Sequence, residues 1–373
     1  MERYLGESTP KLGFGMMRLP KLPDDSFDVA QISQMVDLFM DAGMTYFDTA
    51  FVYIGSEEAT RKSLVERHSR DSFTLTSKLN ASFGASNAED ARRELEISLE
   101  RAGVDWFDYY LLHAIQDDNV DKYNEYGLWD YVREQKKAGL VRHWGFSFHG
   151  SPELLDKLLT EHPDAELVQL QLNYADWEHP RIASRRCYEV ARSHNKPVVV
   201  MEPVKGGLLS DPVPQIRELF ASADPGASPS SWAIRFAASL DGILTVLSGM
   251  STLGQVRDNI SYMKDFRPLS DSELKVIEKA RGILDSIDSI PCTGCRYCMK
   301  GCPMEIPIPR IFAARNRQLM WNQPEKGAED YRALAEKGNV ADACIGCGQC
   351  ESACPQGIDV IDRLAECAEH FKK

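Results

Sequence analysis

No run of 18 apolar residues occurs anywhere in the 373-residue chain, so nothing in it reads as a membrane-spanning helix. The first twenty residues, MERYLGESTPKLGFGMMRLP, carry charges early and lack an apolar core of signal-peptide length. The expectation is a cytoplasmic protein. Cations are in deficit: 43 Lys and Arg stand against 56 Asp and Glu, a net charge of −13. A nucleic-acid surface needs Lys and Arg on phosphates, so a nucleic-acid partner is excluded, and an anionic membrane surface is a poor match. Also missing is a G-x-G-x-x-G turn after the first strand-like run, since "LGFGMMRLP" supplies none; that disfavours a doubly wound open sheet. Cysteine is almost absent outside two short runs, which hold eight of the ten. A disulfide framework does not look like that, whereas metal ligation in a reducing compartment does. The two outliers, Cys187 and Cys367, read as small buried hydrophobes.

The remaining composition is ordinary for a globular chain, with 43% hydrophobic and 27% charged residues. Strand-like runs at 11–16, 44–48, 73–78, 107–113, 141–147, 167–172, 198–201 and 244–248 alternate with helical patterns. "LVQLQL" and "PVVVM" have the continuous apolar character of parallel strands covered on both faces. In "SNAEDARRELEISLERAG", Ser86 and Glu89 form a capping-box pattern, Ala91, Leu95, Leu99 and Ala102 share one face, and Gly103 stops the helix. Eight strand–helix alternations over about 250 residues give an α/β fold of the (β/α)₈ TIM barrel type. The stretch 208–231 is rich in Pro, Ser and Asp and is expected as a loop after the seventh strand, serving either the substrate or nothing in particular. A helix capped by Ser270 or Asp271 should close the barrel. The expected domains are 1–284 and 285–373.

The second domain is announced by "CTGCRYCMKGCP" and "CIGCGQCESACP", both C-x₂-C-x₂-C-x₃-C-P. This is the bacterial ferredoxin spacing: two-residue gaps let three thiolates curl around one cube, and the fourth reaches the other cluster. A zinc site commonly uses two C-x₂-C pairs and fits these runs poorly. Two [4Fe–4S] clusters are therefore expected. One would take Cys292, Cys295, Cys298 and Cys354, and the other Cys344, Cys347, Cys350 and Cys302. Residues 303–343 between the runs contain the helix-like "IPRIFAARNRQLMW" and "AEDYRALAEKG", so the domain should be a mainly helical, ferredoxin-like iron–sulfur unit.

Ionisable residues gather at the ends of the early strands: Asp48 in "YFDTAFVYIGSEE", Tyr53 five residues on, Lys78 in "LTSK" and His113 in "YYLLH". A Tyr hydroxyl is a weak acid, an ammonium beside it stabilises the phenolate, a carboxylate holds the ammonium, and an imidazole can orient a carbonyl oxygen. With "GFSFHG", "VQLQLNY", "MEPVKGG" and "LSGMSTLGQVRDN", these stretches resemble the aldo-keto reductase family over most of residues 1–268. The whole chain resembles a subgroup that carries a C-terminal two-cluster domain. The resemblance implies a catalytic tetrad: Tyr53 as proton donor, Lys78 and Asp48 tuning it, and His113 orienting the carbonyl of a small carbonyl or alcohol substrate.

For the nicotinamide cofactor, NAD or NADP, the resemblance points to Ser147, Gln169, Gly249, Gln255 and Asn259. Ser147, Gln169 and Asn259 match the family. Phe148 stands where an Asn is expected, and the aromatic platform is replaced near Met201. Gly249 and Gln255 stand where the family has a Lys and an Arg for the 2′-phosphate. Either Arg257 compensates or NAD is preferred, because a bidentate Arg is what recognises phosphate. Four readings stay open. The clusters relay electrons, with a ferredoxin or flavodoxin as partner; they are structural staples beside an ordinary reductase; the barrel is a nicotinamide-binding sensor; or the enzyme needs no nicotinamide. Substrate identity, reaction direction and oligomeric state are not written in the sequence.

Overall fold

The computed structural model describes residues 5, 9–81, 85–180, 182–292, 294, 296–354 and 357–372. Among them, eight parallel strands close into a barrel in chain order, each hydrogen-bonded to the next and the last to the first. They are β1 Leu12–Gly15, β2 Tyr46–Asp48, β3 Thr74–Leu79, β4 Phe107–Ile115, β5 Val141–Phe148, β6 Leu167–Gln171, β7 Val198–Met201 and β8 Ile243–Ser248. Every residue of β3 and β8 is buried, as expected for strands with a helix on one side and the barrel interior on the other. Inside the barrel, Tyr46, Tyr109, Leu111, Leu167, Val199 and Leu247 form their own cluster. The larger apolar core lies between strands and surrounding helices.

The helices that bear on the site are α1 Val29–Asp41, α2 Ser56–Thr60, α3 Ala88–Ala102, α4 Val120–Glu125 and α5 Leu128–Lys137. The α3 start differs from the expected cap at Ser86. Asn87 is the cap, its side chain accepting the Asp90 N–H at 2.9 Å, while Asp90 Oδ2 accepts the Ser86 N–H at 3.1 Å. The cap thus lies one residue later than expected, and the return bond from Asp90 goes to the residue before the cap rather than to the cap's own N–H. Gly103 ends α3 in the left-handed region, φ 67°, where a Cβ would be penalised. Of the two caps expected for the helix after Pro268, Ser270 is the one used, and with Glu273 it makes a capping box: Glu273 Oε2 accepts the Ser270 N–H at 2.8 Å, and Ser270 Oγ accepts the Glu273 N–H at 3.4 Å.

The chain divides into two compact units, 1–206 with 230–274, and 207–229 with 275–373. The expected boundary at 284/285 falls inside the helix Asp271–Ser286. The 208–231 stretch is not a plain loop. It contains the helix Pro214–Ala223 and the start of Pro229–Ala238, with Pro at the first helical turn of Pro214–Ala223, where its missing N–H costs nothing.

In the second unit the expected helices form at Ile308–Trp321 and Pro324–Ala335, followed by Val360–Phe371. They pack a core of Ile290, Ile306, Ile308, Ile311, Phe312, Leu334, Val360 and Leu364. Gly327 lets the first two helices cross closely; a Cβ there would stand 2.6 Å from the Ala314 carbonyl oxygen. Among the described residues no helix is long and apolar enough to cross a membrane.

Candidate active site

The tetrad converges at the carboxyl ends of β2, β3 and β4. Asp48 is the last residue of β2, while Lys78 lies one residue before the end of β3 and His113 two before the end of β4, slightly inside the expected strand ends. Tyr53 sits in the turn before α2; its N–H donates to the Ala50 carbonyl at 3.0 Å and its carbonyl accepts the Ser56 N–H at 2.8 Å. Lys78 is 1% exposed, and its Nζ donates to Asp48 Oδ1 at 2.5 Å and to the Thr49 carbonyl at 2.7 Å. The same Nζ lies 5.1 Å from the Tyr53 ring centroid. The Tyr53 and His113 rings meet edge to face, with centroids 5.6 Å apart.

This packing sets the protonation states. Burial pushes the Tyr53 hydroxyl up, partly offset by the Lys78 ammonium, so the phenol keeps its proton at neutral pH. Burial pulls Lys78 down, but Asp48 and Tyr53 outweigh it and the net movement is upward. Burial, reinforced by the Lys78 ammonium, holds His113 well below the usual imidazole range, so its ring is neutral. Its Nδ1 is buried with no hydrogen-bond partner. Lys78→Met would strand the buried Asp48 carboxylate. Loss of one partner of a buried pair typically costs about 3–5 kcal/mol, so the denaturation midpoint should fall sharply, whereas Lys78→Met paired with Asp48→Leu should recover much of it.

The backbone holding His113 is irregular. Ala114 adopts φ 56°, and the β4–β5 register shifts between Leu112 and Ile115. Ser147 Oγ accepts the Ala114 N–H at 2.7 Å, and Asn119 Nδ2 donates to the Ala114 carbonyl at 2.9 Å. Two residues that sequence reasoning passed over also take part: Asn80 Nδ2 donates to the His113 carbonyl at 3.2 Å, and the Tyr123 hydroxyl donates to the same oxygen. Asn80 follows Lys78 by two in "LTSKLN", the only hint available.

The expected nucleotide positions are more scattered in character. Gln169 is 2% exposed on β6, its side chain favours the charged form of Asp48, and its Oε1 has no partner. Asn259 Nδ2 donates to Ser248 Oγ at 2.6 Å and its Oδ1 accepts from the Tyr262 hydroxyl at 2.6 Å, fixing it under β8. Gln255 Oε1 accepts the Ser251 N–H at 2.7 Å. Gly249 lies against the Arg18 stem, where a Cβ would stand 3.4 Å from Arg18 Cδ, and the Arg18 guanidinium approaches Glu202 at 3.7 Å. Glu202 itself was missed by sequence reasoning; it is held at φ 56°, left-handed, just after β7.

Of the expected cluster ligands, Cys302, Cys344, Cys347 and Cys350 line one pocket with Met304, Ile306, Ile308, Ile361 and Leu364. That set joins the last cysteine of the first run to the first three of the second. Four cysteines lining one largely apolar cavity are the donor set that an iron–sulfur cube takes. Among the described residues no trio of metal-ligating side chains is gathered tightly enough for a single ion. Cys292, Cys298 and Cys354 pack against the same core, and Cys295 lies outside the described residues. Burial pushes the thiols of Cys187 and Cys367 up to about 12 and about 11, the inert character expected of them.

Residues 11–281 match the Aldo/keto reductase family, and residues 291–358 match the 4Fe-4S dicluster domain. Aldo-keto reductase str7 of Strobilurus tenacellus is 28% identical over 220 residues, covering 56% of this chain and 62% of that protein. The chain thus spans less than two thirds of that curated relative's length. The holo form of aldo-keto reductase AKR11C1 from Bacillus halodurans superposes with a TM-score of 0.59 at 25% identity, covering 74% of this chain and 95% of that one. The aldo-keto reductase of Klebsiella pneumoniae in complex with NADPH, 21% identical with a TM-score of 0.59, covers 73% of this chain and 91% of its own, and shares the fold. Closed barrel, clustered rim residues and paired cysteine runs agree with these matches: the chain belongs to the aldo/keto reductase family and carries a C-terminal 4Fe-4S dicluster domain.

Proposed function

We propose that the protein is an NAD(P)-dependent oxidoreductase that interconverts a small carbonyl compound and its alcohol at the barrel rim, and that two [4Fe–4S] clusters relay single electrons. The observation that carries the barrel chemistry is Lys78 Nζ held by Asp48 at 2.5 Å while lying against the Tyr53 ring. Bound nicotinamide would supply or accept the hydride. Everything else falls to the chain's own side chains. Neutral His113 donates a hydrogen bond to the carbonyl oxygen and aligns it with the phenol. Tyr53 passes its proton to that oxygen, and Lys78 stabilises the phenolate left behind. Asp48 keeps Lys78 charged and fixed. Ser147 Oγ already accepts a backbone N–H, so its own proton is available to the nicotinamide carboxamide, and the unpaired Gln169 Oε1 is an acceptor for the amide N–H.

The clusters would be held by Cys292, Cys295, Cys298 and Cys354, and by Cys344, Cys347, Cys350 and Cys302, the second set supported by the shared pocket. Iron–sulfur clusters exchange one electron at a time, which suits a ferredoxin or flavodoxin partner. NADH is the expected nucleotide. Gly249 and Gln255 offer no cation for a 2′-phosphate, and the Gln255 Oε1 is engaged by the loop backbone.

The test is anaerobic. Adding NADH to the holoprotein should bleach the cluster absorbance and raise an EPR signal, and NADPH should do so at least about tenfold less effectively, the worth of one good phosphate contact. Bleaching by neither nucleotide, with carbonyl reduction intact, would separate the clusters from the hydride chemistry.

A further inference from the structure

Glu94 interrupts the apolar stripe of α3. Ala91 and Leu95 flank it on the buried face, and it is 2% exposed. Its Oε2 accepts the Asn80 backbone N–H at 2.8 Å. Asn80 is fully buried, two residues beyond Lys78, and its side chain donates to the His113 carbonyl at 3.2 Å. Tyr123 joins the same carbonyl and accepts the Ala81 N–H at 3.3 Å. An unbroken hydrogen-bonded path therefore runs from α3, across the end of β3, to the backbone that carries the imidazole.

The geometry points to Glu94 as a positioning residue for His113, acting through Asn80. It rests on the reductase reading of the tetrad and adds a residue that the tetrad does not contain. The groups facing Glu94 are Glu57 from α2, Asn80 just after β3, Tyr110 from β4, Tyr123 from α4 and Arg101 from α3 itself. Burial pushes the Glu94 carboxyl up to about 8, the Asn80 N–H opposes this, Glu57 adds to the rise and Arg101 counters it.

Below that pH the carboxyl is neutral and sits in the stripe without a charge to solvate. Above it, a carboxylate is confined beside the Glu57 carboxylate, with a one-third exposed Arg101 as its counter-charge. Lost solvation and the Glu57 repulsion outweigh the tighter bond that a carboxylate makes to the Asn80 N–H, as the net upward shift requires, so loosening of α3 from the end of β3 relieves the site and Asn80 loses its anchor. Carbonyl reduction should fall as pH rises through about 8, well below the range where Tyr53 itself deprotonates. The folded value lies above the ordinary 4.5, so folding stability declines as pH climbs from there towards about 8.

The experiment measures kcat and KM from about pH 6 to about pH 10 for wild type, Glu94→Gln, Asn80→Ala and the double variant, with a melting curve for each. Wild type should show a several-fold drop in kcat near pH 8 with KM little changed. Glu94→Gln should keep the low-pH rate and lose the drop. Asn80→Ala should reduce kcat without a drop near 8, and adding Glu94→Gln to it should change nothing further. A drop that persists in Glu94→Gln, or effects of the two substitutions that add in full, would overturn the inference. The His113 imidazole resonances give a readout free of turnover. They should shift through pH 8 in wild type and stay fixed in Glu94→Gln. If no carbonyl is reduced at all, the reductase reading fails, and the resonances still decide whether Glu94 governs His113.

Discussion

Tyr53→Phe is expected to lower carbonyl reduction by roughly 10³-fold while leaving the melting temperature within a few degrees of wild type. A positioned general acid typically contributes 10²- to 10⁴-fold. The phenol is the one acid in the tetrad poised to give a proton at neutral pH. Asp48 is committed to Lys78, and His113 is held neutral by burial and by the Lys78 ammonium. Removal of the hydroxyl keeps the ring that lies against Lys78 Nζ and meets His113 edge to face, so packing survives. Nucleotide binding should be unaffected, which separates loss of chemistry from loss of cofactor. Steady-state rates with a saturating carbonyl compound, together with a nucleotide titration, check both statements. Turnover close to wild type would remove Tyr53 from the proton-donor role and with it the tetrad assignment.

The proposed catalytic residues stand out in the sequence because they lie near strand ends, or just after one, in a barrel whose strands announce themselves. A strand covered by a helix outside and filled side chains inside reads as a short continuous apolar run, and the observed β7 coincides with the expected 198–201. The cap of α3 was displaced by one residue because Ser86 and Asn87 are both good caps, and only the reach of Asp90 decides between them. What the sequence could not show is contact between elements. Asn80, Tyr123 and Glu94 each look unremarkable in one dimension; Asn80, just after β3, and Tyr123 of α4 meet at the His113 carbonyl, and Glu94 of α3 joins them only through the Asn80 backbone N–H. The 208–231 stretch was misjudged for a related reason. Pro and Ser suggest loop, yet Pro at a first helical turn starts a helix as readily as it ends one.

The second large effect concerns the cysteines, and Cys302 is the informative one. By sequence it belongs to the first run, yet it lines the pocket of Cys344, Cys347 and Cys350. Cys302→Ala should therefore behave like Cys347→Ala and unlike Cys298→Ala. The first two substitutions should remove the same cluster, bringing iron and acid-labile sulfide to about half of wild type. The surviving cluster should give an EPR signal free of the coupling that two neighbouring paramagnets produce. Electron exchange with a viologen dye should fall by at least an order of magnitude, whereas hydride transfer between NADH and a carbonyl compound, a barrel reaction, should stay within about twofold. If Cys302→Ala and Cys298→Ala instead leave identical residual spectra, each run holds its own cube and the crosswise pairing is wrong. If Cys347→Ala collapses both clusters and unfolds the helical unit while the barrel still turns over, the clusters serve as staples. Iron content, spectra and melting of the same three variants distinguish these outcomes, because a relay loses electrons and keeps its fold, whereas a staple loses both.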